Sequence, residues 1–209
     1  MRELREAADD AGIALELVPR SRLDALGLRN HQGVVALIRA RPGRELDERS
    51  MAEFPFASDA VVVVLDGVMD PQNLGAAARA AEAAGAAMLV TRQHRAAPSS
   101  ASAIRASSGA LLHLPVARVA NITRAVERLK DHGFRIVGLD QAATAGIHDG
   151  PPPPRPVALV TGSEGTGLSR LVREACDELV GIPLPGHTGS LNAASALAVG
   201  LFGYVLRPH

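Results

Sequence analysis

Residues 61–66 read VVVVLD and residues 157–162 read VALVTG, short β-branched runs in which almost every position is apolar rather than every second one. A strand with one wetted face alternates polar and apolar side chains, so runs like these belong to strands covered on both faces, the pattern of a parallel sheet between helices. Similar runs follow at 86–90 (AAMLV), 114–119 (LPVARV), 134–140 (FRIVGLD) and 179–184 (LVGIPL). Helical patterns separate them at 71–84, within 99–109, at 121–133 and 168–179, and a terminal helix spans 191–206. The expected fold class is therefore α/β, a mostly parallel sheet with helices on both faces. Asp70 before Pro71 has the form of a helix N-cap followed by the favoured first-turn proline, and Gly85 and Gly133 stand where C-terminal glycines belong.

Upstream, residues 1–41 read as a helix, a short strand (IALELVP, 13–19), a helical turn and an apolar strand (GVVALIRA, 33–40). That is a partial domain, too small to bury a core alone. Residues 42–58, with Pro42, Gly43 and mixed charge, read as a linker, leaving 59–209 as the main domain.

With 22 basic against 22 acidic residues, any attraction to nucleic acid must be local. Residues 18–44 carry Arg20, Arg22, Arg29, Arg39, Arg41 and Arg44 against Asp24, and residues 91–118 carry Arg92, Arg95, Arg105 and Arg118 with no acid. These stretches either neutralise phosphates or are scattered solvated arginines. Aromatic content of 2% with no Trp argues against base stacking as a binding mode. Cys176 is the only cysteine and the N-terminus is charged, so the expected compartment is a reducing cytoplasm. Leu191 to Leu206 is interrupted by Asn192, Ser195, Gly200 and Gly203 and falls short of a membrane span.

Ligands of such sheets bind beyond the carboxyl ends of the strands, and three loops there stand out. GSEGTG at 162–167 lets backbone approach a ligand closely, but it is neither a P-loop nor a dinucleotide fingerprint. Glu164, a carboxylate between glycines, has no evident packing reason to be there. In DPQNLGAAARAAE, Arg79 stands on a nearly all-alanine helix. On spacing alone it either pairs with Glu82 at i,i+3 or reaches for a ligand. In TGSLN, Ser190 occupies the expected N-cap with Asn192 in the first turn, which serves capping or a site equally well. Cys176 reads as a packed thiol, and no histidine spacing predicts a metal.

In this order, LDGVMDPQNLGAAARAAEAAG, ALVTGSEGTGLSRLVREACDELVGIPLPG and GSLNAASALAVGLFGYV resemble the three motifs of the TrmH group of SPOUT methyltransferases, over about residues 59–207. NHQGVVA resembles the end of the small RNA-binding domain that precedes many of them. The resemblance implies S-adenosylmethionine-dependent methylation of ribose 2′-hydroxyls in RNA, ribosomal rather than transfer RNA. It also implies a C-terminal trefoil knot and a homodimer formed through the terminal helix. By it, Gly162, Ile182 and Leu191 line the cofactor pocket, and Arg79, Glu164, Ser190 and Asn192 are catalytic. Asn73, with Arg41, Arg92 and Arg95, contacts substrate. Arg79 then either deprotonates the hydroxyl or holds phosphate and ribose while another group takes the proton. The N-terminal domain is shorter than the resemblance leads one to expect. Two other readings remain, a catalytically silent knotted RNA-binding protein and a nicotinamide-dinucleotide enzyme that lacks its fingerprint. Thermal stabilisation by S-adenosylmethionine or by NAD separates these.

Overall fold

A computed structural model describes residues 2–28, 31–37, 45–93 and 100–207. The chain divides into two compact units, Met1–Arg39 and Ala40–His209.

In the first unit, α1 (Arg2–Asp10) and α2 (Arg20–Asp24) form as expected, and neither buries a residue. The strands expected at 13–19 and 33–40 do not form among the described residues. The reason is physical: an extended segment needs a partner for its N–H and C=O groups, and Ile13, Leu17 and Leu37 stay exposed. His31 links two turns of this unit, accepting from Gly33 N at Nδ1 (3.0 Å) while Nε2 lies 2.8 Å from Asp24.

The second unit is a seven-stranded sheet in the order β1-β4-β3-β2-β6-β5-β7, with all pairings parallel. Its strands are β1 (Glu45–Leu46), β2 (Val61–Asp66), β3 (Met88–Arg92), β4 (Val116–Val119), β5 (Arg135–Leu139), β6 (Val157–Gly162) and β7 (Glu178–Val180). Between them run α3 (Glu48–Ala52), α4 (Pro71–Ala83), α5 (Ala101–Ala106), α6 (Ile122–Asp131) and α7 (Arg170–Ala175), and α8 (Ala193–Gly200) closes the unit. β2 and β6 are buried at every position. Alternate residues serve opposite layers: Val61, Val63 and Leu65 pack with α4, α5 and α8, while Val62 and Val64 pack with Met51 of α3, with α6 and with Val172 of α7. Each such side chain contributes on the order of 1.5–3 kcal/mol on burial.

The linker expected at 42–58 is corrected by the structure. Glu45 and Leu46 extend the sheet beside Val116 and Ala117, and α3 buries Met51. Asp47 caps α3, accepting from Ser50 N at 2.8 Å, and the Ser50 hydroxyl together with this N–H holds the Asp47 carboxyl below its ordinary range. The charged residues that resembled a linker pair instead, Glu48 with Arg124 (3.3 Å) and Arg128 (3.7 Å), and Glu45 with Arg118 (3.7 Å).

Helix boundaries follow their caps. Asp70 accepts from Asn73 N at 2.9 Å with Pro71 in the first turn, and Gly85 and Gly133 take positive φ. Gly75 lets α4 approach α5 closely, since a Cβ there would lie 2.5 Å from Ala106 Cβ and 2.6 Å from Ala103 O. The terminal helix is not one regular element. After Gly200 it widens into a π turn over Leu201–Val205, with Leu206 N bonded to Leu201 O at 2.8 Å. Burial and the Glu178 carboxylate, which accepts from Tyr204 Oη at 2.6 Å, push the Tyr204 hydroxyl up to about 12.

Candidate functional site

The carboxyl ends of β5, β6 and β7 open onto a cavity of about 370 Å³. Three stretches distant in sequence wall it: the GSEGTG turn after β6, the segment through Ile182 and Leu184 after β7, and Ser190–Leu191 before α8. Gly162, Ile182 and Leu191, singled out for a cofactor pocket, line this one cavity, and so do Glu164 and Ser190.

The GSEGTG turn is folded back on itself. Ser163 N bonds to Gly167 O (3.2 Å) and Gly167 N to Ser163 O (2.9 Å), with Gly165 and Gly167 at positive φ. Gly162 is required by packing rather than by its backbone angle, because a Cβ there would lie 2.0 Å from Gly167 C. Asp66, buried at the end of β2, accepts from Ser169 N at 2.7 Å and ties the base of the turn to the sheet.

At Glu164 three elements meet. Asn73 Nδ2 of α4 donates to Glu164 Oε1 at 3.2 Å, Asn192 Nδ2 donates to Asn73 Oδ1 at 2.7 Å, and Asn192 Nδ2 also donates to Glu164 Oε1. Asn192 rather than Ser190 is the N-cap of α8, its Oδ1 accepting from Ala194 N (2.9 Å) and Ser195 N (3.3 Å). The amide has two ends, so one residue can cap the helix with its oxygen and join the cluster with its nitrogen. Ser190 is left exposed on the cavity wall.

Arg79 is exposed and does not line the cavity. Among the described residues it makes no ion pair, and the spacing-based pair with Glu82 does not form. Arg92 is exposed at the end of β3, while Arg41 and Arg95 lie outside the described residues. Of the other stretch arginines, Arg22 pairs with Glu16 at 3.0 Å and Arg118 donates to Gln93 O at 2.6 Å. Cys176 is the packed thiol expected, with burial raising it to about 11. Burial raises Asp177 too, but Lys130 at 2.7 Å and the Ile136 N–H outweigh this and hold it low. Among the described residues there is no group of three or more metal-ligating side chains, and no helix is long and apolar enough to cross a membrane.

Two wall residues escaped sequence reasoning, Asp140 and Gln141 after β5. Asp140 Oδ1 accepts from Ala142 N at 2.9 Å, and its Oδ2 lies 2.7 Å from Arg173 Nη1 without a directed N–H. Gln141 Nε2 donates to Gly189 O. The available signal was a polar pair directly following FRIVGL at a strand's carboxyl end.

Residues 60–202 match the model of the SpoU rRNA methylase family. The chain belongs to the SpoU rRNA methylase family. Residues 1–42 of this SpoU-family chain match a second model, RNA 2′-O ribose methyltransferase substrate binding. It is 41% identical over 201 residues to YacO of Bacillus subtilis, named as a TrmH family tRNA/rRNA methyltransferase, an alignment covering 95% of this chain and 79% of that one. A Staphylococcus aureus protein of the same family name is 35% identical over 207 residues, covering 99% and 83%. Among solved structures, the SpoU methyltransferase AviRb from Streptomyces viridochromogenes, in complex with AdoMet, aligns with a TM-score of 0.67 and 31% identity over 74% of this chain and 62% of that one. An AdoMet-bound rRNA methyltransferase from Sinorhizobium meliloti aligns at 0.66 and 30%, over 73% and 58%. This SpoU-family chain thus spans less than two thirds of either solved chain.

Proposed function

We propose that this chain transfers a methyl group from S-adenosylmethionine to a ribose 2′-hydroxyl of RNA, ribosomal rather than transfer RNA. The observation that carries the reading is the convergence of Gly162, Ile182 and Leu191 on one cavity, with the Asn73–Glu164–Asn192 cluster joining two of its walls to α4.

The residues present fit that cofactor. The close-folded glycine turn brings main-chain groups to the cavity, Ile182, Leu184 and Leu191 supply apolar wall, and Glu164, bonded only to neutral amides, supplies negative charge suited to a cation. When bound, S-adenosylmethionine supplies an electrophilic methyl on a sulfonium. The protein's share is positioning, because an in-line transfer needs an oriented hydroxyl and removal of its proton. Asn192 holds Glu164 and Asn73 in register with α8, so the carboxylate is fixed in orientation before any ligand arrives. Arg79, a guanidinium that makes no ion pair among the described residues, binds phosphate and ribose of the target, and Ser190 faces the ligand space from the cavity wall. Arg92, with Arg41 and Arg95, extends phosphate contact over the RNA.

Two architectural expectations accompany this reading, a trefoil knot and a homodimer. β6 inserted between β2 and β5, with α8 packed on Val137, Leu139 and Leu159, supports the first. Val199 and Phe202, three residues apart and exposed on α8 and the π turn, support the second. The module at 1–42 favours ribosomal RNA as the target.

The test is in three parts. S-adenosylmethionine, and not NAD, stabilises the protein thermally; 2′-O-methyl mapping finds a ribosomal RNA position methylated only in cells with the gene; and Arg79→Ala abolishes methylation while cofactor binding survives. An Arg79→Ala protein that turns over normally, or that no longer binds the cofactor, contradicts the assignment.

A further inference from the structure

The segment from Ile182 to Leu191 forms one side of the cavity, yet among the described residues none of its backbone N–H groups donates a hydrogen bond. Pro183 and Pro185 have none to give, and Gly186 to Leu191 are all exposed. Ile182 is anchored on the core, and Asn192 is anchored at the start of α8. Between these posts, one hydrogen bond joins the segment to the rest of the described residues: Gln141 Nε2 to the carbonyl oxygen of Gly189.

Gln141 itself stands on fixed ground. Its neighbour Asp140 is held by Arg173 of α7 and by Ala142 N. The connection that follows is pinned to the end of β7 through Gly181 N to Ala145 O (2.8 Å) and Ile147 N to Gly181 O (2.9 Å). A rigid donor thus faces a strap with no internal bonds, the arrangement of a catch on a movable wall.

We infer that Gln141 is a positioning residue that latches the Pro183–Leu191 strap over the cavity and so sets how tightly and how long the cofactor is held. The inference rests on the cavity being the S-adenosylmethionine site. Gln141→Ala removes one neutral hydrogen bond and weakens S-adenosylmethionine binding about 2- to 12-fold. KM for the cofactor rises by a similar factor while kcat at saturation is kept, because the latch acts on occupancy and not on the Asn73–Glu164–Asn192 cluster.

Gln141→Glu separates latching from bulk. A carboxylate cannot donate to Gly189 O, whereas a protonated carboxyl can, so this variant binds like Gln141→Ala at neutral pH and regains affinity as pH falls into the carboxylate range. Asp140, Arg173 and Glu164 around the site and His187 on the strap are common to all three proteins, so the wild type and Gln141→Ala serve as controls for their titration.

Calorimetry with S-adenosylmethionine gives the affinities, and backbone amide NMR relaxation of the ligand-free proteins reads the motion of the strap directly. The expected result is lower order parameters at 186–191 in Gln141→Ala with those of β2 and β6 unchanged. Wild-type affinity and strap order parameters in Gln141→Ala overturn the inference, as does a loss of order spread across the sheet, which marks a general structural role. If the wild type fails to bind S-adenosylmethionine, the functional reading falls, while the strap order parameters still report whether the latch exists.

Discussion

Gly162→Ala is the sharpest test of how the site is built. A Cβ at residue 162 would sit 2.0 Å from Gly167 C, 2.1 Å from Gly167 O and 2.4 Å from Leu168 N, all backbone atoms that cannot rotate away, where ordinary contact begins at 3.4 Å. The turn must therefore yield by more than an ångström. It can stay closed and strained, at about 1–3 kcal/mol for overpacking. Alternatively it can open and lose the paired Ser163–Gly167 bonds, at about 0.5–1.5 kcal/mol each. Both routes converge on about 2 kcal/mol, which lowers Tm by about 4–8 °C for a domain of this size. Ligand binding suffers more, because the displaced turn carries Glu164 and a wall of the cavity, and affinity for S-adenosylmethionine falls by at least ~10-fold. Gly165→Ala is the control: its φ of +81° costs about 1–2 kcal/mol, but nothing lies within 4 Å of the added methyl. Thermal unfolding and calorimetry on the three proteins decide the matter. A Gly162→Ala protein with wild-type Tm and affinity refutes the close-packed turn.

Asn192→Ala removes the cap of α8 and lowers stability by about 1 kcal/mol, whereas Asn192→Ser keeps a capping oxygen but loses the bonds donated to Asn73 and Glu164. Methyl transfer therefore drops in both variants and stability mainly in the first, and equal stability losses in the two contradict the two-ended role. Tyr204, the single tyrosine, ionises near 12 in the folded protein against an ordinary 10. Its folded value is the higher one, so its contribution to stability is full below pH 10 and is lost as pH rises from 10 to about 12. Tyr204→Phe removes that alkaline dependence, and an ultraviolet titration showing the folded tyrosine ionising near 10 contradicts the Glu178 contact.

The sheet was legible because two-sided burial leaves a mark at every position: VVVVLD and VALVTG have no wet face to disguise them. α4 was legible from Asp70 and Pro71, whose chemistry acts within one turn. The failures are of another kind. Glu45 and Glu48 resembled solvated linker because sequence shows charge but not its partner, and Arg118, Arg124 and Arg128 come from far along the chain. The extended segments of the first unit carried strand-like residues but, among the described residues, found no ladder. Ser190 and Asn192 are equally good caps by type, and only the position of Glu164 decides that the amide serves better. Gln141 was invisible because its partner is a backbone carbonyl, which has no sequence signature.

The central pairing of β2 with β6, Val61 beside Val157, has a consequence for biosynthesis. At about 5–20 residues per second, Asn73 leaves the ribosome some 6–24 s before Asn192, its partner 119 positions later. For most of that interval β2 waits without β6, which must enter between it and β5, and pairings so remote are slow to form. A chain interrupted before Leu191 therefore lacks one wall of the cavity, which closes only once Leu191, Ala193 and Ala196 have joined strands made much earlier.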